Sequence, residues 1–223
     1  MNPPAAPDAA LIRATADRYA ASGRYTRHFI AGKLRRDPAS AAIFARAPPG
    51  LGHVLDLGCG HGQLGLALLL AGRATAVTGL DRAGPKIDDA ARAAAGLPAR
   101  FEAADIATVA LPGCDTVLLV DVLYQMPPAL QLDLLARVAA CARRDVLIRT
   151  FDPDAGWRSR IGFVMEVVGR ALRRKGAQTA IAPLPLPALA APLAAAGFSV
   201  TIQPCWSGTP LPNVLLIAER ARC

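Results

Sequence analysis

The chain has 223 residues, 53% of them hydrophobic but only 5% aromatic, enough for one sizeable core and too few for two full domains. Its five cysteines are odd in number and scattered without a C-x-x-C pair, which excludes a disulfide framework or structural zinc site and fits a reducing cytoplasm. The net charge of +8 is uneven: residues 1–50 and residues 155–180 each carry +5, whereas residues 51–154 carry −3.

The opening MNPPAAPDAA has no basic region followed by an apolar run, so no signal peptide is expected. DAALIRATADRYA places apolar residues at helical spacing, and RYTRHFIAGKLRRDP reads as a basic second helix ending near Asp37-Pro38. Pro48-Pro49-Gly50 then predicts a hinge. Residues 1–50 are therefore expected to form a helical cap, and residues 51–223 the core.

Beyond the hinge, strands and helices alternate. HVLDL (53–57) predicts a strand and QLGLALLLAG (63–72) a helix. ATAVTGLD (74–81) predicts a second strand, followed by a helix from Lys86 to about Ala95 and a third strand, ARFEAAD (99–105). DTVLLVDVL (115–123) is apolar almost throughout, as suits a strand buried on both faces. A helix around 129–141 leads to DVLIRTF (145–151), and repeated β-α-β units predict a parallel sheet with helices on both faces. Residues 156–175 read as an inserted helix with Arg-rich ends. Pro192 troubles the helical pattern PALAAPLAAAGF, which predicts a kink or two short pieces. FSVTIQP and NVLLIAE predict a closing strand pair. No charge falls between Gly176 and Ala218, but prolines recur throughout and argue against a membrane span.

Residues 54–65, VLDLGCGHGQLG, admit two cofactors. Gly60, Gly62 and Gly65 satisfy the spacing of a dinucleotide-binding turn, in which a pyrophosphate rests on a helix N-terminus. That register leaves Asp56 and Gly58 unexplained and sets a carboxylate near a doubly anionic group. S-adenosylmethionine, with an ammonium and a sulfonium, reverses the sign: Asp56 accepts from the amino group while Gly58, Gly60 and Gly62 make room for the amino-acid tail. Asp81 ends the second strand, where a carboxylate binds ribose hydroxyls of either cofactor. Asp105 ends the third, in reach of an adenine amino group.

With VLDLGCGHG, TGLD, FEAADI and DTVLLVDVLYQMP in order, residues 51–154 resemble the class I S-adenosylmethionine-dependent methyltransferases. The resemblance implies a Rossmann-like, doubly wound α/β fold: a seven-stranded sheet whose last strand, around Asn213–Glu219, is antiparallel. It also implies that Asp56, Gly58, Gly60 and Gly62 hold the methionine end, Asp81 the ribose, Asp105 and Ile106 the adenine, and that Asp121 lies beside the methyl group. More narrowly, GRYTRHFIAGKLRRDP and GTPLPNVLLIA are similar to segments of small methyltransferases of bacterial aryl-polyene and fatty-acid-like pathways. That likeness implies an acceptor riding on an acidic acyl carrier protein, for which the two +5 segments would form a landing zone.

Fold alone does not choose the methyl acceptor. The absence of N/D-P-P-Y/F after the fourth strand argues against amide or adenine N-methylation, and Cys205 reads as a core or loop cysteine. The expected acceptor is a small molecule or a carrier-bound acyl or aryl group, methylated on O or C. Where a proton must leave, His28, Tyr124 and Asp152 are the candidate bases. Asp121, Asp152 and Asp154 sit where catechol-type relatives hold magnesium, but Asp152-Pro153 lacks the Asp-Asn pair, so no metal is expected. Two alternatives stay open: an RNA methyltransferase, for which the basic first helices speak and the few aromatics do not, and a non-catalytic S-adenosylmethionine-binding module.

Overall fold

The structure is a computed structural model that describes residues 6–47, 50–162, 164, 181–206 and 208–221. Seven strands form one sheet in the order β3-β2-β1-β4-β5-β7-β6. They are β1 (His53–Leu57), β2 (Ala76–Asp81), β3 (Ala99–Ala103), β4 (Cys114–Val120), β5 (Ala142–Phe151), β6 (Phe198–Pro204) and β7 (Asn213–Arg220). The first five run parallel, and β7 runs antiparallel to both β5 and β6, as expected.

Period-two alternation sorts the side chains of β1 to the two faces of the sheet. Val54 joins one apolar cluster, while Leu55 and Leu57 join the other with Val117 and Leu119 of β4. Asp56 therefore shares the face of Val54. The chain winds from β1 outward to β3, then returns to β4 on the other side of β1 and continues to β5. β1 and β4 thus flank the topological switch point, where the strand ends leave a crevice for a ligand.

Three helices precede the sheet: α1 (Ala9–Asp17), α2 (Gly23–Arg36) and α3 (Pro38–Arg46). α3 was not anticipated. Its start is nevertheless well specified, because Asp37 Oδ1 accepts from Ala39 N at 3.0 Å and Pro38 occupies the first turn. Ile12, Tyr19, Ile30, Ile43 and Phe44 from this region are buried in the same cluster as Val54, Leu66 and Leu118 of the sheet layers.

Further helices among the described residues are α4 (Gln63–Leu70), α5 (Gly84–Ala93), α6 (Pro128–Cys141) and α7 (Leu186–Ala195). α7 runs through Pro192 as one helix, so of the expected kink or two short pieces the two pieces do not occur. Its ten residues include buried Leu189 and Leu193, which anchor it over β6 and β7 and hold the helix despite the missing N–H. β4 ends at Val120 and not at 123, since Asp121 adopts φ 60 and Leu123–Gln125 form a 3-10 turn. Of the insertion expected at 156–175, helix is seen over 157–162; residues 165–175, with Arg173 and Arg174, lie outside the described residues, as do Pro48 and Pro49 of the hinge. No helix among the described residues is long and apolar enough to cross a membrane.

Candidate active site

The glycine-rich loop after β1 is tied to the end of β2 through backbone and carboxylate. Gly58 N and Cys59 N both donate to Leu80 O, at 2.7 and 3.1 Å. Gly60 N donates to Asp81 Oδ2 and Ala83 N to Asp81 Oδ1, each at 2.8 Å. Asp81 so fixes the loop while its remaining lone pairs stay free for ligand hydroxyls. Gly58 and Gly62 have φ of 73° and 72°, where a side chain is strained, and a Cβ would overlap Val122 at the first and Phe101 at the second.

Asp56 is only 3% exposed. Burial, reinforced by the Asp81 carboxylate, pushes its carboxyl up to about 7. A cationic ligand relieves both effects, whereas a pyrophosphate would add negative charge to them. Of the two cofactors that the sequence allows, this cradle fits S-adenosylmethionine.

A cavity of about 940 Å³ opens beside the loop. From the ends of β1, β2 and β3 it is lined by Asp56, Gly58, Gly60, Asp81, Asp105 and Ile106. From the other side come Phe29, Lys33, Asp37 and Ser40 of the first helices, and Asp121, Val122, Met126 and Leu130 after β4. The cavity thus brings together every residue expected to hold the cofactor except Gly62, which stands behind the wall as the N-cap of α4. Asp105 lies two residues beyond β3 in a turn that its own Oδ1 closes on Ala107 N at 3.0 Å.

The three candidate bases are not brought together. His28 is exposed on α2, with Nδ1 2.8 Å from Arg24 O. Tyr124 packs its ring on Phe151, 6.2 Å between centroids. Asp152 Oδ1 accepts from Asp154 N at 2.9 Å, and its carbonyl accepts from Ser159 Oγ. None of them lines the cavity. Among the described residues, no group of three His, Cys, Asp or Glu side chains is placed to hold a metal ion.

Several contacts that shape the site escaped the sequence reading. Tyr19 is fully buried and donates its hydroxyl to His61 O at 2.5 Å, so the first helices grip the glycine loop directly. Burial, with the nearby Cys59 and Asp89 adding to it, pushes the phenol up and keeps it a neutral donor. His61 sits under Phe29, with Nδ1 3.3 Å from Asp89 Oδ2. Its desolvation outweighs the Asp89 carboxylate and lowers its pKa. Cys59 is buried, and that burial, with Asp56 beside it, pushes the thiol far up, leaving it an inert packing group.

The second unanticipated feature is an ion cluster. Arg149 of β5, 5% exposed, donates through one nitrogen to Asp37 Oδ1 at 2.9 Å and to Asp121 Oδ2 at 2.7 Å. Lys33 Nζ lies 2.6 Å from Asp37 Oδ2 and 3.9 Å from Asp121 Oδ2. Burial works against charge on both Asp37 and Arg149, but the paired opposite charges override it and keep both ionised. The one available signal was Arg149 itself, a cation inside the otherwise uncharged run VLIRTF.

Comparison with known proteins agrees with this geometry. Residues 54–145 match the family model described as a methyltransferase domain. The fold is similar to that of magnesium protoporphyrin IX methyltransferase from Synechocystis PCC 6803 with bound SAH, at 20% identity and TM-score 0.63 over 92% of this chain and 93% of that one. It is similar to an O-methyltransferase family protein from Burkholderia thailandensis, at 17% identity and TM-score 0.62, over 92% of this chain and 62% of that one. An S-adenosylmethionine-dependent methyltransferase from Clostridium acetobutylicum ATCC 824 matches at 12% identity and TM-score 0.63, over 90% and 100% of the two chains. No curated protein matches in sequence. Residues 54–145 thus form a methyltransferase domain, in a sheet with the Rossmann-like topology of the class I S-adenosylmethionine-dependent methyltransferases. The cradle of Asp56, Asp81 and the glycine loop fits S-adenosylmethionine as its cofactor.

Proposed function

We propose that the protein methylates a small organic acceptor, or an acyl or aryl group presented on a carrier, on oxygen or carbon. One observation carries this reading. The helices of the N-terminal segment wall the cavity opposite the strand ends, with Phe29, Lys33 and Ser40 lining it together with Val122, Met126 and Leu130. The wall sets apolar Phe29, Val122, Met126 and Leu130 among charged and polar groups, a combination that suits a small organic acceptor with a polar reacting end. The names of two structural neighbours, a magnesium protoporphyrin IX methyltransferase and an O-methyltransferase family protein, support the same substrate range.

S-adenosylmethionine supplies a methyl group on a positively charged sulfur. In this proposal Asp56 takes its ammonium, Asp81 its ribose hydroxyls, Asp105 and Ile106 its adenine, and Asp121 stands by the methyl group. Holding the two reactants in line is then the main task of the protein. For an acceptor that must lose a proton, Tyr124 is the first base to test, since cavity residues Val122 and Gln125 flank it in the chain; Asp152 and His28 follow. Arg35 and Arg36, exposed at the end of α2, would meet an acidic carrier.

The test is turnover of S-adenosylmethionine with phenols, carboxylic acids, acyl-carrier thioesters and RNA, read as product mass and S-adenosylhomocysteine formed. Methylation of a small or carrier-bound acceptor supports the proposal. Labelling of RNA alone replaces it, and tight cofactor binding with no turnover on any class favours the non-catalytic module.

A further inference from the structure

The ion cluster around Arg149 does more than join helices to the sheet. Asp121 is the non-glycine residue with positive φ among the described residues, at 60°. A single residue there carries a conformational cost, so its surroundings must hold it. Arg149 does so twice: its carbonyl accepts from Asp121 N at 3.1 Å, and its guanidinium takes the Asp121 carboxylate. The Gln125 side chain also donates to Asp121 O. Lys33, Asp37 and Asp121 line the cavity, while Arg149 stands behind them. Among the described residues, two cations are thus set against two carboxylates within this cluster.

We infer that Arg149, together with Lys33, is a charge-balancing positioning residue that keeps the wall beside the cofactor's sulfonium electrically neutral. It thereby sets the relative affinity of the protein for S-adenosylmethionine and S-adenosylhomocysteine. The physical reason lies in where charge goes during the reaction. Methyl transfer disperses the positive charge of the sulfonium and leaves a neutral thioether. A net-negative wall would stabilise the charged ground state more than the transition state, and so raise the barrier. A wall with fixed, paired charges orients Asp121 without that penalty. The inference rests on the placement of Asp121 beside the methyl group proposed above.

The test needs no acceptor. Dissociation constants for S-adenosylmethionine and S-adenosylhomocysteine are measured by calorimetry at pH 8 on the wild type and four variants. Arg149→Met leaves the cluster net negative and is expected to raise the preference for S-adenosylmethionine on the order of fivefold, as a unit charge some 8 Å away gives at an intermediate effective dielectric. Asp37→Asn and Asp121→Asn shift the balance the other way and should lower the preference. Asn retains the α3 cap at position 37 and tolerates positive φ at position 121. Arg149→Lys keeps the charge and should stay near the wild-type ratio. A merely structural role would weaken both ligands alike and leave every ratio unchanged. A ratio in Arg149→Met within about twofold of wild type, with Asp121→Asn still shifting it, overturns the charge-balancing role. No shift in Asp121→Asn shows instead that Asp121 is not beside the sulfonium, and the inference falls with that placement. Should Arg149→Met fail to fold, Asp37→Asn decides by the same ratio.

Discussion

Asp56 and Asp81 are separated by their neighbours more than by their chemistry. Asp81 accepts from two backbone N–H groups, while Asp56 is buried and its carboxyl sits near 7 against an ordinary 3.8. Binding an ammonium requires the Asp56 carboxylate, so a proton must leave at lower pH. S-adenosylhomocysteine affinity, followed by calorimetry between pH 5.5 and 7, should therefore fall by about tenfold per unit as pH drops, and Asp56→Asn should flatten that slope. The stability sign is opposite. A carboxyl raised in the folded state contributes stability fully below its unfolded value of about 3.8 and loses that contribution as pH rises through about 7. Ligand-free Asp56→Asn should accordingly melt higher than wild type at pH 8 while binding more weakly. Asp81→Ala should cost about 1.5–3 kcal/mol of cofactor binding, the range for charge-assisted hydrogen bonds, read as a rise in the dissociation constant. At this scale the places of Asp56, Asp81 and Asp105, proposed to hold the cofactor, were legible, because each stands at or just past a strand end in a fixed order. The contacts of the first helices were not. Tyr19, Lys33, Asp37 and Arg149 meet across long separations, and no local spacing announces such contacts.

Among elements, the strands were read well because apolar runs and alternation fix them; β1 starts and ends where its pattern does. The helices α3 and α7 were read less well, and for related reasons. Asp37-Pro38 looked like the stop of one helix, yet the same pair caps and begins the next. Pro192 looked like a break, yet burial of Leu189 and Leu193 carries α7 across it. Proline lies roughly 3 kcal/mol below alanine in a helix interior, offset by up to about 1 kcal/mol for the freedom that alanine restores to the unfolded chain. Pro192→Ala should thus stabilise the protein by roughly 1–2 kcal/mol, seen as a higher denaturant midpoint at unchanged slope. A lower midpoint would mean that the proline ring itself fills a contact in the packing of α7.

Considered whole, the molecule joins its first helices to the sheet through one core. Ile12, Tyr19, Ile30, Leu34, Ile43 and Phe44 are all buried in it. At about 1.5–3 kcal/mol for each such side chain, their removal would cost an amount comparable to the roughly 5–15 kcal/mol that a domain has in total. A chain starting at residue 50 should therefore lack the cooperative melt of the full protein, which circular dichroism against temperature would show. The placement of β7 has a further outcome, one of timing. β7 sits between β5 and β6 and pairs antiparallel with both, although β6 precedes it in the chain. As the polypeptide is made, β6 therefore emerges before the only strand that can bring it into the sheet, and the open edge of β5 waits alongside it. Both unpaired edges are sticky to other chains until β7 arrives. A released chain truncated after residue 204, which keeps β6 but lacks β7, should be far more prone to aggregate than its hydrophobic content alone would foretell.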